Sequence, residues 1–292
     1  MQFDCGNDQN GRVTTPRADV TIDAGLVRRL LEPAGISSDG LEQVGSGFDN
    51  EMWRAGSVVV RLPRRAAAVE LLRNEQRWLT DVTTGVALET PSIMWRGEPT
   101  DFYPYPWTVT SWIDGEIAMR QGPLTSPAAA VRLGHTLAAI HRTAPHDAPM
   151  NPFRGVALSE RAESFTLNNQ RDGDGWLERH FLHALRAPRF AGQPRWLHGD
   201  VHGGNLIVRD GDLVGLIDFG DLCGGDPASD LGGALLATHP TAWKSLTDTY
   251  QADGATWQRA FGWLSLFIAL HLRIGGRHAI AAEATLRAWR AL

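Results

Sequence analysis

The chain has 292 residues, 43% of them hydrophobic, with 28 basic against 33 acidic side chains and a net charge of −5. That is enough apolar sequence to bury a large core in one big domain or two lobes, and the near balance of charge makes no electrostatic case for nucleic acid or an anionic membrane as partner. The two cysteines, Cys5 and Cys223, offer no disulfide framework, residues 1–8 lack the basic and apolar regions of an export signal, and the apolar-rich run 261–270 is too short to span a bilayer, so a cytoplasmic protein is expected.

In chain order, residues 1–20 are polar and read as a loose arm. Residues 22–31 carry Leu26, Leu30 and Leu31 with Arg28 and Arg29 between them, a short amphipathic helix ending near Pro33 and Gly35. Three strands are expected at 41–44, 50–54 and 58–62, separated by Gly45-Ser46-Gly47-Phe48-Asp49-Asn50 and by Ala55-Gly56. Good helix formers fill 66–82, with Val69, Leu72, Leu79 and Val82 apolar and no internal Gly or Pro. Residues 107–113 alternate as a strand and stop at Asp114-Gly115-Glu116. Ser126-Pro127 opens a helix over 128–141, residues 151–155 form a linker, and 158–185 hold one or two further helices. Short strands follow at 206–208 and 213–217, and helices at 242–250 and 255–274 close the chain.

The chemistry concentrates in Trp196-Leu197-His198-Gly199-Asp200-Val201-His202-Gly203-Gly204-Asn205 and in Asp218-Phe219-Gly220, thirteen residues after Asn205. Phosphoryl transfer needs one carboxylate to orient and deprotonate the attacking hydroxyl, and oxygen ligands to hold magnesium against nucleotide phosphates. Asp200 suits the first role. Asn205 and Asp218 suit the second, because magnesium prefers hard oxygen donors. The strands 206–208 and 213–217, joined by Arg209-Asp210-Gly211-Asp212, would bring Asn205 and Asp218 to one mouth of a hairpin. A rival reading takes His198, Asp200 and His202 as three metal ligands on one face of a strand, but Gly199, Gly203 and Gly204 favour a loop, in which His198 is structural.

The H-G-D-x-H-x-G-N run, the D-F-G-D beginning at Asp218, and Gly225-Asp226-Pro227-Ala228-Ser229-Asp230-Leu231 resemble the aminoglycoside phosphotransferase family, whose fold is similar to that of protein kinases; the resemblance covers the chain from about Leu41 onward. It implies an α+β, two-lobed kinase-like fold: a β-rich N-lobe with one main helix over 21–113, binding nucleotide, and a larger, mostly helical C-lobe over 114–292, carrying the catalytic loop and the substrate. By the same resemblance Asp200 is the base, Asn205 and Asp218 bind Mg2+, and Asp230 buttresses the loop. Gly45, Ser46 and Gly47, alone no more than a hairpin turn, become a loop covering the phosphates of ATP or GTP. Arg61 stands where protein kinases carry a phosphate-holding Lys and pairs with Glu75, with Glu70 the alternative partner. Backbone groups of Ser111 and Ile113 would read the base edge, with Thr110 at the pocket's gate. Arg64 and Arg65 read as surface.

Eleven residues separate Asp218 from Asp230 and no A-P-E sequence follows, which leaves no platform for a peptide. The implied acceptor is a small-molecule hydroxyl, on an aminoglycoside or related antibiotic, whose phosphorylation confers resistance. A macrolide, peptide antibiotic or metabolite is the alternative. Among the large-lobe carboxylates, Asp221, Asp226, Glu160, Glu163 and Glu178 could hold an amino sugar, although none is singled out by spacing. A nucleotide-binding protein without catalysis is the reading of another class, favoured only by Arg61.

Overall fold

The structure, a computed structural model, describes residues 16–170 and 172–292; most of the expected arm lies outside them. Helix α1 (Ala24–Leu31) begins where the Asp23 carboxylate accepts the Leu26 N–H at 2.8 Å, a cap that contributes about 1 kcal/mol. It buries Val27, Leu30 and Leu31 against Trp53, Val58, Val60 and Leu62 of the first sheet. That sheet holds β1 (Glu42–Ser46), β2 (Asn50–Ala55), β3 (Val58–Pro63), β4 (Ile93–Gly97) and β5 (Trp107–Ser111), all antiparallel in the order β1-β2-β3-β5-β4. The Val-rich β3 is central and buried along its whole length, so Arg61 within it is forced inward as well. Between β3 and β4 runs α2 (Val69–Thr83), entered through a 3-10 turn at Ala66–Ala68.

Strand β4 was not expected from the sequence. It is an edge strand with Met94 and Trp95 exposed, so it shows no clear apolar alternation. The strand expected over 107–113 ends at Ser111, after which the chain crosses to the helical lobe through β6 (Glu116–Ile117).

That lobe opens with α3 (Pro127–Ile140), capped by Ser126 as its Ser-Pro start implies. Then come α4 (Ala162–Asn168), α5 (Trp176–Ala184), β7 (Arg195–Leu197), β8 (Leu206–Arg209), β9 (Asp212–Leu216), β10 (Cys223–Gly225), α6 (Ala228–Ala237), α7 (Trp243–Thr249), α8 (Gly254–Ile274) and α9 (Gly276–Arg290). The chain therefore does not close at residue 274: α9 restarts after Gly275 and packs on α8 and α6. The two-lobed α+β architecture stands as expected.

Two glycines decide how closely the large lobe packs. A Cβ on Gly232 would lie 2.4 Å from Trp263 Cβ on α8, and one on Gly233 would lie 2.1 Å from the Val201 carbonyl in the 198–205 loop. Bare backbone at both positions lets α6 touch its neighbour helix on one side and that loop on the other. The lobes are joined behind the cleft: the Glu89 N–H donates to the Val214 carbonyl at 2.8 Å, and the Leu216 N–H donates to the Glu89 carbonyl at 3.0 Å. No helix among the described residues is long and apolar enough to cross a membrane.

Candidate active site

The loop from His198 to Asn205 runs between β7 and the β8-β9 hairpin, and its shape is fixed from below. Gly199 has φ +89°, and a Cβ there would meet the Asp221 carbonyl at 2.1 Å. Asp230, in the first turn of α6, accepts the His198 N–H at 2.7 Å and the Gly199 N–H at 3.0 Å, one on each carboxylate oxygen. His141 Nε2 lies 3.1 Å from the same carboxylate and its Nδ1 lies 2.7 Å from the Tyr250 hydroxyl. A buried chain of polar groups thus runs from α3 and the end of α7 to the loop, with every member paired.

His198 is fully buried, its Nε2 3.0 Å from the Ile217 carbonyl and its Nδ1 accepting the Asp200 N–H at 3.2 Å. Burial outweighs the pull of Asp230 and Asp200 and lowers its pKa, so it is neutral and protonated on Nε2. With both nitrogens engaged it is no metal ligand. Among the described residues no three His, Cys, Asp or Glu side chains are grouped to hold a metal ion, so His198, Asp200 and His202 do not form the metal site of the rival reading.

Asp200 follows at the lip of the cleft, its side chain 30% exposed. Its Oδ1 accepts from Arg154 Nη2 at 3.0 Å, and its Oδ2 faces Asn205 Nδ2 at 3.2 Å and His202 Nε2 at 3.3 Å. Burial pushes its pKa up, but His202 and Arg154 together overcome that and hold it well below the ordinary carboxylate range. Asn205 also donates to the Asp200 carbonyl at 2.8 Å, which turns its amide oxygen away from the loop. The Ile217 N–H donates to the Asn205 carbonyl at 2.9 Å, so Asn205 and Asp218 do share one mouth of the β8-β9 hairpin. Asp218 adopts a left-handed conformation, φ 65° and ψ 72°, while Phe219 is buried edge-on to His198.

Across the cleft, Arg61 binds two carboxylates at once. Nη1 meets Glu75 at 2.8–2.9 Å and Nη2 meets Asp218 Oδ1 at 2.6 Å. Glu75, not Glu70, is the partner, and it is 2% exposed. Burial raises the Glu75 pKa against the attraction of Arg61; burial also opposes the charge on Arg61, but Asp218 and Glu75 outweigh it and keep the guanidinium protonated. The Asn50 amide, turned to satisfy its neighbours, adds an oxygen 3.2 Å from both Nε and Nη2 of Arg61.

Gly45 and Ser46 do not lie in the turn as expected but end β1, paired with Met52 and Glu51; only Gly47 enters the β1-β2 turn, which its N–H closes on the Asn50 carbonyl at 2.9 Å. Arg64 and Arg65, read as surface, are half-buried and engaged in specific bonds. Arg64 donates to the Gly47 carbonyl at 2.9 Å and to Ser46 Oγ at 3.2 Å, while Arg65 holds Asp49 at 2.6 Å, so the pair staples this turn to the end of β3. At the junction of the lobes, the Ser111 N–H is taken by the Ser92 carbonyl at 3.0 Å, whereas the Ile113 N–H has no protein partner among the described residues. Thr110 is buried beside them on β5.

The sequence profile of the phosphotransferase enzyme family matches residues 40–265. The chain belongs to that family. Solved structures share the fold at low identity. APH(2")-IIia with GDP and kanamycin is 18% identical over 91% of this chain and 96% of its own, with a TM-score of 0.64. The streptomycin–ATP–APH(2")-IIa ternary complex is 20% identical over 82% and 88%, TM-score 0.56. Macrolide 2'-phosphotransferase from Brachybacterium faecium, as apoenzyme, is 18% identical over 89% and 97%, TM-score 0.59.

Within this phosphotransferase several groups at the site carry no signal in the sequence. Arg154 and Asn151 arrive from the linker before α4, and His271 and His278 from α8 and α9 come within 5.5–5.6 Å of the His202 ring. Asp226 is unavailable to any ligand, being buried in an ion pair with Arg259 at 2.7 Å, whereas Glu160, Glu163 and Glu178 are exposed.

Asp221 is half-buried and accepts from Asn151 Nδ2 at 2.7 Å. Burial first, then Asp200 and Asp218, raise its pKa to about 6, with Arg154 opposing. The folded phosphotransferase therefore binds a proton there more tightly than the unfolded chain does. The associated stability is fully present below the ordinary Asp pKa and is lost as pH rises through about 6. Asp221→Asn removes that loss. In metal-free, nucleotide-free protein its melting temperature is expected to match wild type near pH 4 and to gain on it progressively toward pH 7; a difference independent of pH would contradict the assignment.

Proposed function

We propose that this phosphotransferase moves the γ-phosphate of ATP or GTP to a hydroxyl of an aminoglycoside or related antibiotic in the cytoplasm, inactivating it and conferring resistance. One observation carries the reading: Asp200 lies against Asn205, and Asn205 and Asp218 share the hairpin mouth that Arg61 and Glu75 face. The complexes of related folds with GDP and kanamycin and with ATP and streptomycin support the substrate classes.

In this reading residues 21–113 bind the nucleotide and 114–292 the acceptor. The Ile113 N–H and the Ser111 carbonyl address the base edge, and Gly45, Ser46 and Gly47 cover the phosphates. Arg61, held by Glu75, contacts the α- and β-phosphates. Asp200 accepts the proton of the acceptor hydroxyl as its oxygen attacks the γ-phosphorus; the new P–O bond forms as the bond to the β-γ bridging oxygen breaks, releasing ADP or GDP. Asn205 and Asp218 offer hard oxygen donors on one side of the cleft, a set that fits magnesium. When bound there, Mg2+ neutralises charge on the phosphate oxygens. Arg61 retains the ion pair with Glu75, which supports the catalytic reading over the non-catalytic one that the Lys-to-Arg departure favoured.

Titration calorimetry tests the nucleotide half. Mg2+ is expected to tighten ATP or GTP binding to the wild type, and to do so far less for Asp218→Asn. Equal magnesium dependence in both proteins would remove Asp218 as a ligand.

A further inference from the structure

The Asp200 carboxylate has about four lone-pair sites. Asn205 Nδ2 and His202 Nε2 face Oδ2, and Arg154 Nη2 occupies one site on Oδ1. His202 presents a hydrogen to Asp200, because its Nδ1 accepts the Gly204 N–H at 2.9 Å. The remaining site lies on Oδ1, beside the Arg154 guanidinium. A hydroxyl delivering its proton to Asp200 enters there.

Arg154 is not a surface side chain that happens to reach over. Its side chain is 11% exposed, its guanidinium lies 5.3 Å above the Phe267 ring of α8, and its Nε is buried without a partner. The segment that carries it is tied down at both ends. The Pro149 carbonyl accepts the Gly224 N–H at 2.9 Å, Asn151 Oδ1 accepts the Phe153 N–H at 2.8 Å, and Gly155 bonds to Ser229 Oγ at 3.1 Å and to the Asp226 N–H at 2.8 Å. Gly224, Asp226 and Ser229 run from β10 into the first turn of α6, the same unit whose Asp230 fixes the loop from its other side.

We propose that Arg154 is a positioning residue for Asp200 and forms one wall of the seat for the acceptor hydroxyl. It holds the carboxylate so that Oδ2 stays on Asn205 and His202 while the free side of Oδ1 faces the entering oxygen. A guanidinium suits this place because its planar fork anchors on the Phe153 carbonyl through Nη1 at 3.3 Å while Nη2 holds Asp200 at 3.0 Å, which fixes the direction of the contact. The role rests on Asp200 acting as the base, as proposed above.

The test uses the full chain and acceptor-independent hydrolysis of MgATP and MgGTP, in which water takes the place of the hydroxyl, together with a crystal structure of Arg154→Met. Misplacing a reacting group by about 1 Å costs on the order of 100-fold in rate. Arg154→Met is expected to lower kcat by roughly that factor, to leave the nucleotide KM within about twofold, and to recover on addition of guanidinium chloride at non-denaturing concentration. Added to Asp200→Ala it should cost nothing further, since it acts through that carboxylate. In the crystal Asp200 should have left Asn205 Nδ2. Unchanged kcat, a loss confined to KM, a loss fully additive with Asp200→Ala, or an unmoved Asp200 would each overturn the role. If Arg154→Met does not fold, Arg154→Lys serves: partial kcat with native nucleotide KM supports the role, and full kcat refutes it. Wild-type hydrolysis in Asp200→Ala would instead sink the function proposed above. Slow Asp200→Ala beside normal Arg154→Met sinks this inference alone.

Discussion

Asp200→Ala is expected to lower phosphoryl transfer by at least about 10³-fold, at the upper end of what a positioned general base supplies, while ATP or GTP affinity stays within about twofold. Asp200 Oδ1 meets Arg154 and its Oδ2 meets Asn205, so in the proposed reading it faces the acceptor through Oδ1 and reaches the nucleotide only by way of Asn205. Losing it removes an interaction made in the transition state and little ground-state binding of nucleotide. The alanine also strips Arg154 of its partner, so Asp200→Asn is the matched control: its amide oxygen can still accept from Arg154 but cannot take up a proton. Both variants should be inactive in a coupled assay for ADP or GDP release with acceptor present. Retained turnover in Asp200→Asn, with native nucleotide binding, would remove Asp200 as the base.

The second large effect concerns stability. Arg61→Met leaves Glu75 in the interior without its cation, and uncoupling one member of a buried pair costs about 3–5 kcal/mol. Glu75 is 2% exposed and burial already raises its pKa, so the orphaned carboxyl is expected to take up a proton and the fold to lose stability in urea titration. Arg61→Met combined with Glu75→Leu replaces the pair by apolar groups and should recover most of that loss without recovering transfer, because the phosphate contact proposed for Arg61 stays absent. Arg61→Lys keeps a charge but not the fork that reaches Glu75 and Asp218 together, and should fall between the two in stability. Single and double variants of equal stability would show that the pair is not what holds β3 to α2.

The sequence made the chemistry legible because its residues are local. Asp200 and Asn205 lie five apart on one loop, and Asp218 follows across a hairpin whose apolar runs announce two strands. Position then gave Arg61 and Glu75, since a buried central strand followed by an uninterrupted amphipathic helix leaves few ways to face them. What stayed hidden was of two kinds. Strand β4 is an exposed edge, β7 and β10 are three residues each, and α6 is buried on all sides with two glycines, so none carries a periodic signal. Helix α9 begins within Gly275-Gly276, which reads as a stop, yet Gly275 serves as the turn between two helices. Arg154, Asn151, His271 and His278 were invisible for another reason. Arg154 meets Asp200 across 46 residues of chain and His271 comes from a helix that reads as plain core. Asp226 illustrates the converse: as one of five unprivileged carboxylates it read as solvated surface that could hold an amino sugar, but Arg259, thirty-three residues on, takes it into the core.

Incubation of the wild-type chain with Mg2+, γ-labelled ATP or GTP and a panel of aminoglycosides, macrolides and simple metabolic alcohols measures the central claim directly. The label is expected on one acceptor class as a phosphate ester, with release of ADP or GDP in equal amount. No acceptor-dependent transfer anywhere in the panel, by protein that binds the nucleotide tightly, would contradict it.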